Sequence, residues 1–370
     1  MFLKNNKKVL VAMSGGVDSS VAAFLLKKRG YEVVGAFIRG YNIDGCQDKE
    51  GEDARLVAEQ IGIPFYVFNF EEEYKKRVVD YLLNGYRQGI TPNPDVVCNS
   101  QIKFGLLYDK AMELGFDYVA SGHYAQLGWE IQNPKFQITN WFKNRVVKIY
   151  EGRDEKKDQS YFLWQIQRDK FKKILFPIGN IKKEKVRNIA LEANLLTASK
   201  KDSQGVCFLG KFKFDEFLKE HIKPQIGDIV DVNGKKVGEH DGVWFYTIGQ
   251  KHGFKNTSGR SYYVVSKDFK NNKLVIAYEE DERLYCKEFE ITNLNWLDDK
   301  YRDKFEAGKI FSIRVRTRYH QPLIRVRVVK RGDNKALVRL FKPMTVFPAS
   351  GQSAVFYSFW GQMLGGGIIT

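Results

Sequence analysis

Two glycines flanked by hydroxyl and carboxyl side chains, Ser14-Gly15-Gly16-Val17-Asp18-Ser19, follow the apolar run Val9 to Met13 and precede an apolar-periodic stretch with Val21, Ala22, Phe24 and Leu25. A strand that turns through glycines into a helix makes an anion site. The backbone approaches a ligand closely, Ser14, Ser19 and Ser20 offer hydroxyls, and the helix start adds free amides and a positive dipole. The expected ligand is an oligophosphate. The lysine of the G-x-x-x-x-G-K-[ST] loop is absent, so this is not the loop that transfers a terminal phosphate in most NTPases. A second chemical stretch, Thr91-Pro92-Asn93-Pro94-Asp95-Val96-Val97-Cys98-Asn99, puts an amide, a carboxylate and a thiol in a proline-shaped loop that leads into a helix. A helix N-terminus lowers a thiol's pKa, which makes Cys98 a candidate nucleophile. A third, Lys201 to Gly210, carries Cys207 between glycines.

The elements that must position these residues follow from the pattern. Strands are expected near Glu32 to Ile38, Pro64 to Phe70 and Asp117 to Ala120, with helices near Ala54 to Ile61 and Ile102 to Leu114. This repeated β-α-β reads as an α/β fold, a doubly wound parallel sheet over residues 1–205. Ligands sit at the carboxyl ends of strands in such sheets. The Ser14 loop, the segment after Ile38 and the Ser121-Gly122-His123 turn all fall on that edge. A small β-rich stretch is expected over 206–285, where Asn233-Gly234 marks a hairpin. A C-terminal β-barrel is expected over 286–370. In it Ser312 to Arg318 and Ile324 to Val328 alternate aliphatic residues with arginine, predicting one arginine face.

Composition points to a polyanionic partner. The 370 residues hold 60 Lys and Arg against 44 Asp and Glu, a formal charge of +16, and residues 301–340 alone hold twelve against three. Nucleic acid is the leading partner. The four cysteines, Cys46, Cys98, Cys207 and Cys286, form no C-x-x-C pair, which argues against a disulfide framework, a structural zinc site and a secreted protein. The expected location is cytoplasmic, with no signal peptide, transit peptide or membrane span.

The S-G-G-x-D-S loop resembles the PP-loop of the ATP pyrophosphatases, where ATP is cut between its first and second phosphates and an adenylate forms on a substrate oxygen. Seven segments in order carry a closer resemblance: Ala12 to Ser19, Thr91 to Asn99, Ser121 to Ala125, Lys157 to Leu163, Asp202 to Gly210, Tyr246 to Gln250 and Gly351 to Tyr357. Together they are similar to the tRNA-specific 2-thiouridylases, which replace O2 of the wobble uridine with sulfur. The resemblance implies that Ala12, Met13, Ser14, Gly15, Gly16, Val17, Asp18, Ser19, Ile38 and Gly122 hold ATP, with Mg2+ offsetting phosphate charge. It implies that Asn93, Pro94 and Asp95 face the flipped uracil, and that Asp95 is the general acid/base. Cys207 would carry a persulfide and Cys98 would attack it, leaving a Cys98 to Cys207 disulfide to be reduced. His123, Lys157, Asp158, Gln159, Arg318, Tyr319 and Gln352 would contact tRNA, by family habit the Lys, Glu and Gln acceptors. The sulfur donor would be a cysteine desulfurase or a relay protein.

Three rivals are weaker. An amide-forming ligase with the same loop needs neither paired cysteines nor a basic barrel. A cluster-dependent thiolase usually shows C-x-x-C pairs, and a plain RNA-binding protein has no use for a phosphate loop. Some positions depart from the family pattern: Ile38 stands where methionine is common, and His252 where arginine or lysine is. Cys46 and Cys286 match no role and read as structural thiols. Trp129 to Arg145 reads as an inserted β-hairpin.

Overall fold

The structure is a computed structural model that describes residues 6–42, 45–131, 145–202, 214–251, 262–279, 281–344 and 348–370. Five parallel strands form the first sheet: β1 Lys8–Ala12, β2 Glu32–Arg39, β3 Phe65–Asn69, β4 Tyr118–Ser121 and β7 Ile174–Leu175, in the order β3-β2-β1-β4-β7. The strand β1 lies at the centre because it is apolar on both faces, as a strand covered on both sides must be. Val9, Val11 and Met13 pack with helix α1 (Val17–Lys28), helix α2 (Cys46–Ile61) and the helix Lys183–Glu192. Leu10 packs on the opposite side with Phe104, Leu107 and Ala111. The doubly wound sheet is therefore as the β-α-β pattern predicts.

A hairpin, β5 (Ala125–Ile131) and β6 (Arg145–Glu151), follows β4 but leaves the parallel sheet. Residues 132–144 between its strands lie outside the described residues. Strand β6 pairs instead with β17 (Gln362–Ile369) near the C-terminus, Gln362 opposite Tyr150. The hairpin strands flank the insertion expected at Trp129 to Arg145, most of which lies outside the described residues, and belong to the sheet that contains β17.

The middle of the chain forms a four-stranded sheet from β8 (Gly227–Asp231), β9 (Lys236–His240), β10 (Tyr262–Asp268) and β11 (Lys273–Tyr278). Asn233-Gly234 turns β8 into β9 as expected, with Gly234 at φ +84°. The last stretch is a closed barrel of six strands, β12 (Cys286–Trp296), β13 (Phe311–Arg316), β14 (Ile324–Gly332), β15 (Lys335–Met344), β16 (Ser353–Tyr357) and β17, closed by β12 against β17. Val355, Tyr357 and Met363 from β16 and β17 share a core with Leu10 and Phe104, so the barrel rests on one face of the parallel sheet.

The arginine face splits on inspection. Ile313, Val315, Val326 and Val328 are fully buried, as alternation requires. Their arginine neighbours are not one outward comb, because Arg316 turns onto Asp158 and Glu151 of the first part of the chain, at 2.8 and 3.0 Å. Among the described residues no helix is long and apolar enough to cross a membrane.

Candidate active site

The phosphate loop is shaped by its neighbours. Gly15 adopts φ +68°, and a Cβ there would stand 2.3 Å from the carbonyl oxygen of Glu50 in α2; only glycine fits. Gly16 caps α1 in an extended conformation without a side-chain bond, which leaves the first-turn amides for a ligand. Ser19 Oγ accepts from the Ser14 amide at 3.1 Å, and the Ser20 hydroxyl donates to the Gly16 carbonyl at 2.8 Å. Gly122 comes from the end of β4, and a Cβ on it would lie 2.7 Å from the Asp18 carbonyl carbon and the Ser19 amide nitrogen. The Ser121-Gly122 turn and the start of α1 are therefore in contact, as the sheet-edge argument requires.

Four cations surround this loop. Lys183 Nζ donates to both carboxylate oxygens of Asp18, at 2.8 and 2.7 Å, and lies 2.9 Å from Asp202. Asp202 also pairs with Lys157 and Arg187, at 2.7 and 2.6 Å. Against the opposing pull of burial, hydrogen bonds from Lys157 and Lys183 hold the Asp202 carboxyl well below the usual carboxylate range. Lys200 Nζ donates to the Gly15 carbonyl at 2.9 Å and to Asp53 at 2.6 Å. Sequence reading missed Lys183, Arg187 and Lys200. The run Lys182-Lys183-Glu184-Lys185 looks like a solvated helix start, and only the buried setting of Lys183 marks it out.

The Tyr124 hydroxyl donates to Asp18 at 2.7 Å, and Gln159 Oε1 accepts from the Tyr124 amide at 3.1 Å. From there the short helix Ser160–Leu163 runs to the second loop: Tyr161 hydrogen-bonds the Asn93 side chain, and Asn99 Nδ2 donates to the Phe162 carbonyl at 3.4 Å. Asn93 in turn caps the helix Pro94–Val97, its Oδ1 accepting from the Val96 amide at 3.3 Å, with Pro94 in the first turn where proline is favoured. Asp95 is half-buried in that turn. Ile38 bridges the apolar clusters on the two sides of this junction.

All three parts of the chain hold the Thr91 loop. Thr91 Oγ1 meets Thr247 Oγ1 of the middle stretch at 3.0 Å, and the Thr91 amide donates to the Ser350 carbonyl at 2.8 Å. Gln352 Nε2 donates to the Thr91 carbonyl at 2.7 Å. Arg318 Nη2 donates to the Ile248 carbonyl at 2.7 Å, and Tyr319 packs on Phe162 with ring centres 4.5 Å apart. Four of the seven sequence segments meet here.

Three expectations need correction. Cys98 is not beside the dipole of a helix start: the helix begins at Pro94, and Cys98 opens the π-helical stretch Cys98–Leu107, one turn further on. Burial pushes its thiol up, although Lys103 opposes this, the reverse of the lowering expected from the loop. Asp158, expected at tRNA, is only 2% exposed and accepts from Arg316, the Gly152 amide and the Ser160 amide. His123, likewise, is buried between Phe104 and Phe176 with its Nδ1 2.7 Å from Ser121 Oγ, and burial holds it neutral. Cys207 and His252 lie outside the described residues.

The whole chain has relatives. Residues 7–211 match the family model described as the tRNA methyl transferase HUP domain, 215–278 the tRNA methyl transferase PRC-barrel domain, and 286–369 the aminomethyltransferase beta-barrel domain. The tRNA-specific 2-thiouridylase MnmA of Geobacillus thermodenitrificans is 43% identical over 369 residues, which is 98% of this chain and 94% of that one. The protein of the same name from Bacillus subtilis is 40% identical over the same shares. A phosphate loop, a loop clasped by three parts of the chain and this likeness from end to end agree: the chain belongs to the tRNA-specific 2-thiouridylase family.

Proposed function

We propose that this enzyme uses ATP to adenylate O2 of the wobble uridine of tRNA and replaces that oxygen with sulfur, with residues 1–205 binding ATP, 206–285 linking, and 286–370 holding tRNA. The observation that carries the reading is the clasp on Thr91, which brings Asn93, Pro94, Asp95 and Cys98 into one shell connected to Asp18 through Gln159 and Tyr124. The phosphate loop also favours sulfur transfer over the methyl transfer that two matched descriptions name, since a sulfonium methyl donor carries no phosphates to bind.

The first step needs charge compensation at ATP. Loop amides, the α1 dipole and Lys183 and Lys200 serve that end, and Mg2+ fits as an ion carried by the phosphates. Among the described residues no cluster of three or more acids, histidines or cysteines forms a metal site, whereas Mg2+ with nucleotides commonly keeps one or two carboxylates, for which Asp18 is the candidate. O2 of the uracil attacks the first phosphate, pyrophosphate leaves, and the adenylate turns a poor leaving group into AMP.

Sulfur then follows. The terminal sulfur of a Cys207 persulfide bonds to C2, and AMP departs with the former O2. The Cys98 thiolate attacks Cys207 Sγ, and the electron pair of the broken S–S bond remains on the sulfur that becomes the thiocarbonyl. The resulting Cys98–Cys207 disulfide takes two electrons from an external thiol reductant. Asp95 accepts and returns protons beside the reacting thiol. Pyrophosphate should appear only with unmodified tRNA, AMP only when a sulfur source is present as well, and mass spectrometry of the tRNA nucleosides should show one oxygen exchanged for sulfur. Product formation without tRNA, or tRNA that gains no sulfur, refutes the reading.

A further inference from the structure

Away from the active site, the outer face of the barrel assembles arginines and bare aromatic rings in an unusual way. Arg325 and Arg327 project outward from β14 because Val326 and Val328 take the core. Antiparallel register sets Arg314 directly opposite Arg325, and Arg327 directly opposite Arg339. Like charges in such positions repel. Arg339 has a carboxylate at hand, Glu288 at 2.9 Å, and Arg314 donates to the Ser358 carbonyl at 3.1 and 2.8 Å. The guanidinium of Arg325 lies over two rings, 4.7 Å from the centre of Phe341 and 5.6 Å from that of Phe359, and Arg327 lies 4.6 Å from Phe341.

These rings face outward. Phe341 is 42% exposed, Phe359 49% and Trp360 90%. Their turn is a built one, because Ser358 Oγ accepts from the amides of both Trp360 and Gln362, at 3.2 and 3.1 Å. Exposed rings of this size mark an interaction surface. An apolar protein partner would leave opposed arginines unmatched, whereas single-stranded nucleic acid offers both a phosphate for each guanidinium and a flat base for each ring.

We propose that Phe341, Phe359 and Trp360, with Arg325 and Arg327, form a stacking platform for unpaired bases and adjoining phosphates of the substrate tRNA. This rests on the tRNA reading above. Rings and arginines have separable signatures. Stacking is insensitive to salt, whereas each phosphate contact adds about 0.7 to 0.9 to the slope of log affinity against log salt. The test measures binding of unmodified tRNA and of a fully paired RNA duplex, at several salt concentrations, for the full-length enzyme, for F359A/W360A and for R325Q/R327Q, with circular dichroism as the folding control. F359A/W360A should weaken tRNA binding about tenfold with the slope unchanged, and should leave duplex binding alone. R325Q/R327Q should lower the slope by about 1.4 to 1.8. If the wild-type enzyme binds tRNA and both folded variants match it in affinity and slope, the platform is overturned while the function stands. If the wild-type enzyme binds no tRNA, the function falls and the platform with it. A change of oligomeric state in F359A/W360A with tRNA binding intact would assign the patch to a second copy and also overturn the proposal.

Discussion

Lys183 Nζ holds both carboxylate oxygens of Asp18, at 2.8 and 2.7 Å, across 165 residues of sequence. The phosphate loop lacks the lysine of a Walker loop, and the fold supplies a cation there from a distant helix. Its charge is shared with Asp202, which Lys157 and Arg187 also pair, so three cations face two carboxylates and the cluster keeps positive charge for a phosphate.

Lys183→Met should therefore raise the KM for ATP about tenfold to a hundredfold, the loss of one charge-assisted hydrogen bond of about 1.5–3 kcal/mol. tRNA affinity should not move. Lys183→Arg should recover part of the loss. Initial rates of AMP release against ATP concentration, beside tRNA binding, separate these effects. A parallel fall in both would mean that Lys183 only holds the fold together.

Cys98→Ser should abolish sulfur transfer while leaving ATP binding intact, and Cys46→Ser and Cys286→Ser should leave both intact. Because burial pushes the Cys98 thiol up in the resting enzyme, its alkylation rate should keep rising with pH through at least about 9, without an earlier plateau. Peptide mass mapping after timed iodoacetamide treatment reads that rate. A plateau below neutral pH would restore the thiolate expected from the loop.

Arg316 sits between Asp158 and Glu151 with little exposure, so its loss strands a buried carboxylate. Arg316→Met should cost about 3–5 kcal/mol of stability, with no change in the salt slope of tRNA binding. Urea denaturation measures the first and filter binding the second. A reduced slope with unchanged stability would return Arg316 to the phosphate contacts.

Much of this was legible in the residues because local rules and tertiary structure agree there. Val9 to Ser20 reads as strand, loop and helix, and folds so, since apolar period and glycine placement demand it. Asn233-Gly234 reads as a hairpin turn for the same reason. The failures involve partners far away in sequence. Alternation places Arg316 on the outer face of β13, but it cannot reveal that Asp158 covers that position. A proline-shaped loop before Cys98 suggests a helix start, but the helix begins four residues earlier, at Pro94. Lys183 is anonymous in a basic run until the sheet edge brings Asp18 beneath it.

Lys267 reports on the seam between the middle sheet and the Thr91 loop. Its Nζ donates to the Gly89 and Tyr246 carbonyls, at 2.7 and 2.8 Å, and Phe269 of the same strand region packs where a Cβ on Gly89 would stand. Burial pulls its pKa down to about 8 from an ordinary 10.5. The folded state thus releases this proton earlier than the unfolded chain does. Between about pH 8 and 10.5 the unfolded chain binds more protons at this site, so this group's contribution to stability rises with pH there, and below 8 its burial penalty is felt in full. Lys267→Met removes that titration. The stability difference, wild type minus variant, should grow in the wild type's favour from pH 7 to 10, read by urea denaturation at each pH. A flat difference would mean that the ammonium is as well solvated by its two carbonyls as it is by water.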